Sequence, residues 1–122
     1  MTLQTQLDTL RAYNGNSALV AFGDLVSKLV LRTSSDASYP REDLDTLARC
    51  AADLLTINHS EHEKALLARS AIMFDGSAAI VFTTHPDSPD EFLCTMTGAQ
   101  HSIEHTVRST KDAINTIAHT EI

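Results

Sequence analysis

Leu3, Leu7 and Leu10 recur at i, i+4 and i+7, which places them on one helix face and predicts a short amphipathic helix over residues 2–12. Asn14, Gly15 and Asn16 stop it, because Gly and Asn tolerate the left-handed backbone of a helix end. Two apolar, β-rich runs follow, residues 17–22 and 25–33, with Gly23 and Asp24 as the turn between them. Runs this close read as a β-hairpin. The polar stretch 34–38 is a loop. A second, longer helix opens at Tyr39 and Pro40. Pro40 suits its first position, and Glu42 and Asp43 face the positive end of its dipole. Leu44, Leu47, Ala48, Ala51, Leu54 and Leu55 form its apolar stripe. Arg41, Asp45, Arg49 and Asp53 recur every fourth residue on the opposite face, and Asn58 marks its stop.

Residues 61–68 read two ways. Ser60 and Glu63 fit a capping box ahead of good helix formers, yet residues 66–74 are apolar at both alternating sets of positions and run into Asp75-Gly76. Asp-Gly between apolar runs is a strong hairpin signal of the type I′ kind, so 66–74 reads as a strand and 77–84 as its return. Pro86 and Pro89 make residues 85–90 a rigid polar loop, since neither suits a central strand. Residues 92–97 form a third strand. Thr97 and Gln100 have capping-box spacing, and a last helix follows with Ile103, Val107, Thr110, Ile114, Ile117 and Ala118 on its apolar face. The order α-β-β-α-β-β-β-α, with hairpins rather than crossovers, implies class α+β: a five-stranded antiparallel sheet carrying helices, in one domain over residues 1–122.

Charge narrows the partners. A formal charge of -7 with only nine scattered Lys and Arg argues against nucleic acid and against anionic membrane surfaces. Apolar runs reach about six residues, far short of the ~20 that span a bilayer. The first ten residues carry no basic or continuous apolar leader pattern, which points to the cytoplasm. Cys50 and Cys94 lie far apart in apolar settings and read as two free core thiols rather than a disulfide.

Candidate chemistry is sparse. His101, Glu104 and His105 match H-x-x-E-H, in which two His at i, i+4 bind zinc and the Glu acts as general base. The pattern arises easily in a chain with six histidines, and only Glu121 follows as a carboxylate third ligand, so a solvated helix face is the plainer reading. His59 and His62, flanked by Glu61 and Glu63, read as a solvated loop. No G-x-S-x-G occurs, and the four glycines are isolated turn residues rather than a phosphate loop. No metal, cofactor or catalytic residue is therefore assigned. What remains is a surface. Residues 66–74, with Ala65 just before them, place Leu66, Ala68, Ser70, Ile72 and Phe74 on one side and Ala65, Leu67, Ala71 and Met73 on the other. A strand apolar on both faces must be covered on both. A second copy paired edge to edge would cover it, and so would the chain's own helices around an interior strand.

The element order and chain length resemble the Roadblock/LC7 family. The segments that carry the resemblance are SALVAFGDLV (17–26), the alanine- and leucine-rich DLDTLARCAA (43–52), and Asp75-Gly76. The resemblance implies a homodimer whose third strands pair, continuing the sheet from one copy into the other. The second helices would lie side by side on one face, and the first and last helices on the other. It also implies a noncatalytic scaffold or regulator, of a small Ras-like GTPase as in bacteria and archaea or of dynein and lysosomal assemblies as in eukaryotes. Leu66, Ala68, Ser70, Ile72 and Phe74 would then form the dimer strand. The Arg41, Asp45, Arg49, Asp53 row would face the partner. Two rival readings stand beside it. One is a profilin- or PAS-like ligand-sensing domain with an antiparallel sheet between helices. The other is a metal-dependent hydrolase using His101, Glu104 and His105.

Overall fold

The computed structural model describes residues 2–15, 17–55, 70–85, 88–98 and 102–120. Their order is α1 (Leu3–Tyr13), β1 (Leu19–Asp24), β2 (Leu29–Ser35), α2 (Arg41–Leu55), β3 (Ser70–Asp75), β4 (Ala78–His85), β5 (Ser88–Gly98) and α3 (Ile103–Thr120). The strands form one antiparallel sheet in the order β2-β1-β5-β4-β3. Strand alternation divides the core. Leu19, Ala21, Ile80, Phe82, Phe92 and Cys94 pack under α2, against Leu47, Ala48, Ala51 and Leu55. Val20, Phe22 and Leu93 face the other way and pack against Leu7, Leu10, Ile114 and Ile117 of α1 and α3. The α+β order expected from the periodicity is therefore the observed one, and among the described residues α2 is the one helix on its face.

Local details correct several of the expectations. Gly23 and Asp24 are not the first turn; both lie in β1, and residues 25–28 turn instead. Gly23 is needed for close approach, since a Cβ there would come within 2.5 Å of the Leu29 carbonyl oxygen and 2.6 Å of the Phe92 ring. The β1–β2 register shifts at this point, as at a bulge. Lys28 takes the left-handed backbone (φ 60°), and the Asp24 carboxylate accepts from the Ser27 N–H and hydroxyl, each at 2.7 Å. In the second hairpin Asp75 is the last residue of β3, paired with Ala78, and Gly76-Ser77 form the loop. Only Gly76 has positive φ (60°), the type II′ pattern rather than the type I′ expected from Asp-Gly.

Ser34 and Ser35 belong to β2 rather than to a loop. Pro40 stands one residue ahead of α2, where its carbonyl accepts from the N–H groups of Asp43 and Leu44. Pro89 lies within β5 rather than in a loop. The β4–β5 pairing jumps from Thr84↔Phe92 to His85↔Ser88, so residues 89–91 stand in an irregularity where proline withholds no ladder bond. Thr97 does not cap the last helix; it is paired with Ala79 in β5. Ser102 caps it instead, its hydroxyl accepting from the His105 N–H at 3.2 Å. Asn58 and residues 61–68 lie outside the described residues, apart from which β3 is a strand as expected.

Hydroxyls fasten α3 to its neighbours. Thr110 bonds Thr95 of the sheet at 2.8 Å, and Asn14 at the end of α1 donates to Ser109 at 3.0 Å. These groups are buried, and leaving one unpaired would cost about 1–3 kcal/mol.

Candidate functional site

β3 ends the sheet, and among the described residues no strand lies beyond it. Among the described residues β3 is thus an edge rather than an interior strand. Its alternation splits its side chains. Ala71 and Met73 lean on the α2 side of the core. Ser70, Ile72 and Phe74, opposite Thr83, Val81 and Ala79, point to the α1/α3 side. There Ile72 is 41% and Phe74 67% exposed. Ser70 lies within 3.2 Å of the Thr83 hydroxyl, which fastens the start of the strand to β4. Leu66 and Ala68, the other two residues assigned to this strand, lie outside the described residues.

On the opposite face a groove of about 370 Å³ separates α2 from the edge. Leu44, Leu47 and Cys50 form its helix wall, and Met73, Ile80 and Met96 its sheet wall. Tyr39 sits at its mouth, its hydroxyl pKa pushed up by burial and then by the nearby Asp36 carboxylate. Cys50 is thus half-buried in a groove rather than in the core. Cys94 is a core thiol, and burial pushes its pKa up to about 12, which keeps it protonated and unreactive.

Of the four charged residues of the second helix, Arg41, Arg49 and Asp53 are exposed and Asp45 is half-buried, with its Oδ1 shielded from solvent, and they do not form one paired row. Arg41 and Asp45 are 3.3 Å apart. Arg49 donates instead to the Thr46 hydroxyl at 3.2 Å, and Asp53 is exposed. The row runs along α2 and the strand expected to pair runs along β3, so the two expected surfaces lie apart, with the groove between α2 and the edge.

The remaining motif residues have other work. Glu104 pairs with Arg108 at 3.1 Å, and the His105 ring stacks on Tyr13 with centroids 4.8 Å apart. His59, His62 and His101 lie outside the described residues. Among the described residues no three His, Cys, Asp or Glu side chains gather as a metal set, and no helix is long and apolar enough to cross a membrane.

The sequence reading missed the opposite edge. β2 exposes Leu29 and Leu31, and the turn before it exposes Val26 at 72%. The signal was available: in the run 25–33 apolar residues fall in both alternating sets, Leu25, Leu29 and Leu31 in one and Val26 and Val30 in the other.

No protein-family model and no curated protein matches the chain. Solved structures do. A Roadblock/LC7 domain from Streptomyces avermitilis superposes with a TM-score of 0.77 at 11% identity, covering 98% of each chain. Myxococcus xanthus MglB gives 0.75 at 12% identity, over 96% of this chain and 92% of that one. Acanthamoeba castellanii profilin II gives 0.64 at 15% identity, over 99% and 100%. The likeness in fold thus extends to both groups, with the higher scores on the first two. The chain has the fold of a Roadblock/LC7 domain.

Proposed function

We propose that the chain is a noncatalytic, dimeric interaction module that scaffolds or regulates a small Ras-like GTPase. The observation that carries this reading is the bare β3 edge. It has an unbroken register with β4, no strand on its outer side among the described residues, and exposed Ile72 and Phe74. A soluble chain rarely leaves such an edge uncovered. A second copy paired along β3 continues the sheet and covers both side chains. Each fully buried large apolar side chain contributes about 1.5–3 kcal/mol, and two-fold symmetry counts each one twice. The same pairing brings the second copy's α2 toward the 370 Å³ groove. It leaves the outer faces of both α2 helices, with Arg41, Asp45, Arg49 and Asp53, available to a third protein.

The dimer strand on this reading comprises Leu66, Ala68, Ser70, Ile72 and Phe74. The GTPase reading rests on the Roadblock/LC7 fold and on the charged α2 face, and the setting it implies is cytoplasmic. Pull-down from the native source with tagged protein tests it: a nucleotide-bound GTPase is recovered by the wild type and lost with Arg41→Glu/Arg49→Glu. Recovery of no GTPase, or equal recovery by the variant, counts against the reading. A profilin-type ligand-sensing domain is the second reading, favoured by the likeness to profilin II. It expects a small molecule to raise the melting temperature of a stable monomer.

A further inference from the structure

The first hairpin carries an apolar surface that the proposed dimer leaves unused. Val26, Leu29 and Leu31 are exposed on it, and among the described residues no strand lies beyond β2. The register passes from Phe22↔Arg32 to Gly23↔Val30, so Leu31 stands outside the ladder. Next to it a groove of about 300 Å³ runs between β2 and the start of α2, walled by Leu31, Arg32, Arg41 and Leu44.

Charge identifies the occupant. The chain as a whole is at -7, yet Lys28 and Arg32 stand at this edge with no ion pair among the described residues, and Arg41 borders the groove. The acid of the hairpin, Asp24, is held by the Ser27 N–H and hydroxyl. Pairing of β2 with a second β2 would bring these cations against their own copies, which destabilises a cross-strand pair. Farther along, the Gln4 side chain donates to the Thr33 carbonyl at 3.0 Å and closes that part of the edge. What stays open is the short stretch Leu29, Val30, Leu31 and Arg32.

We propose that the β2 edge binds a short, extended acidic segment of another protein. Its apolar side chains lie against Leu29 and Leu31, and its carboxylates meet Lys28 and Arg32. Complementary charge of this kind sets on-rate and selectivity, and makes the contact sensitive to salt. The surface lies at the other end of the sheet from β3, so it stands whether or not the chain dimerises.

The test uses the full chain and a fluorescein-labelled decapeptide alternating Glu with Val, beside a counterpart with Lys in place of Glu. Anisotropy should show saturable, salt-weakened binding of the Glu peptide alone, with amide shifts at residues 28–32. Lys28→Glu/Arg32→Glu should weaken it by about tenfold or more, and Leu31→Asp should remove it, both with unchanged melting curves. Any of four results overturns the proposal. These are no saturable binding, equal binding of the Lys peptide, indifference to the charge reversals, or shifts confined to β3 or the α1–α3 face. Assembly beyond a dimer that Leu31→Asp reverses would likewise assign the edge to copies of the chain itself.

Discussion

β3 and β2 both end the sheet, and they end it differently. β3 pairs with β4 in an unbroken register from Ser70↔Thr83 to Asp75↔Ala78. β2 slips against β1 at Phe22/Gly23, and α1 reaches over its later half through Gln4, whose amide donates to the Thr33 carbonyl and to Asp8. Ser34 of β2 also bonds the Asp8 carboxylate. Bulges, covering side chains and exposed cations are the devices that keep an edge from extending. β2 has all three and β3 has none of them among its described residues. On the proposed reading the regular, apolar β3 edge is continued by a second copy, and the bulged and capped β2 edge has room for only a short segment.

Substitutions at the two edges should separate these roles. Ile72→Lys should have the largest effect on assembly. It places a charge in the proposed ladder twice by symmetry, costing about 3 kcal/mol or more and raising the dimer Kd over a hundredfold. Sedimentation equilibrium against protein concentration checks this, with the melting temperature of the monomer little changed. Gly23→Ala attacks the other side of the sheet. The added methyl meets a backbone oxygen that cannot move cheaply, so unfolding in urea should show a loss of about 1–3 kcal/mol with dimerisation through β3 intact.

Gln4→Ala should be milder, about 0.5–1.5 kcal/mol for its hydrogen bonds, and should raise the tendency of β2 to associate in light scattering. The smallest effect concerns pH. Hydrogen bonds from Ser34 and then Gln4 hold the Asp8 carboxyl below its usual value of 3.8. A carboxylate depressed on folding contributes stability above its unfolded pKa and loses it as pH falls through the folded one. Asp8→Asn should therefore flatten the stability profile only on the acid side of pH 4 or so, with little change near neutrality, because the group is exposed.

The helices and the strand count were legible because period and length agree in each. α2 has its stripe and acidic first turn, and α1 and α3 keep one apolar face. Turn positions were harder. Gly23 looks like a turn residue in sequence, but its freedom is needed for contact with Leu29 and Phe92, which are distant or only partly local and cannot be seen in a short window. Asp75-Gly76 was right as a hairpin and wrong by one residue, because the strand pairing of Asp75 with Ala78 sets the loop and not the dipeptide preference. Pro89 was read as excluded from a strand, whereas an irregularity in β5 admits it.

Of the candidate site, the two-faced pattern of residues 66–74 announced a strand needing cover. Whether it lay inside or at the rim depended on strand order, which no local pattern encodes. Of the charged row on α2, Arg41, Arg49 and Asp53 are exposed as read, whereas the half-burial of Asp45 and the pairing of the row were not legible. Arg49 takes the hydroxyl of Thr46, one turn back, in preference to a second ion pair.

Sedimentation velocity of the unmodified protein at low micromolar concentration tests the central claim most directly. The account predicts a single species of twice the 13.3 kDa chain mass. A species of 13.3 kDa that persists as concentration rises would contradict it, because β3 would then be an edge that nothing continues.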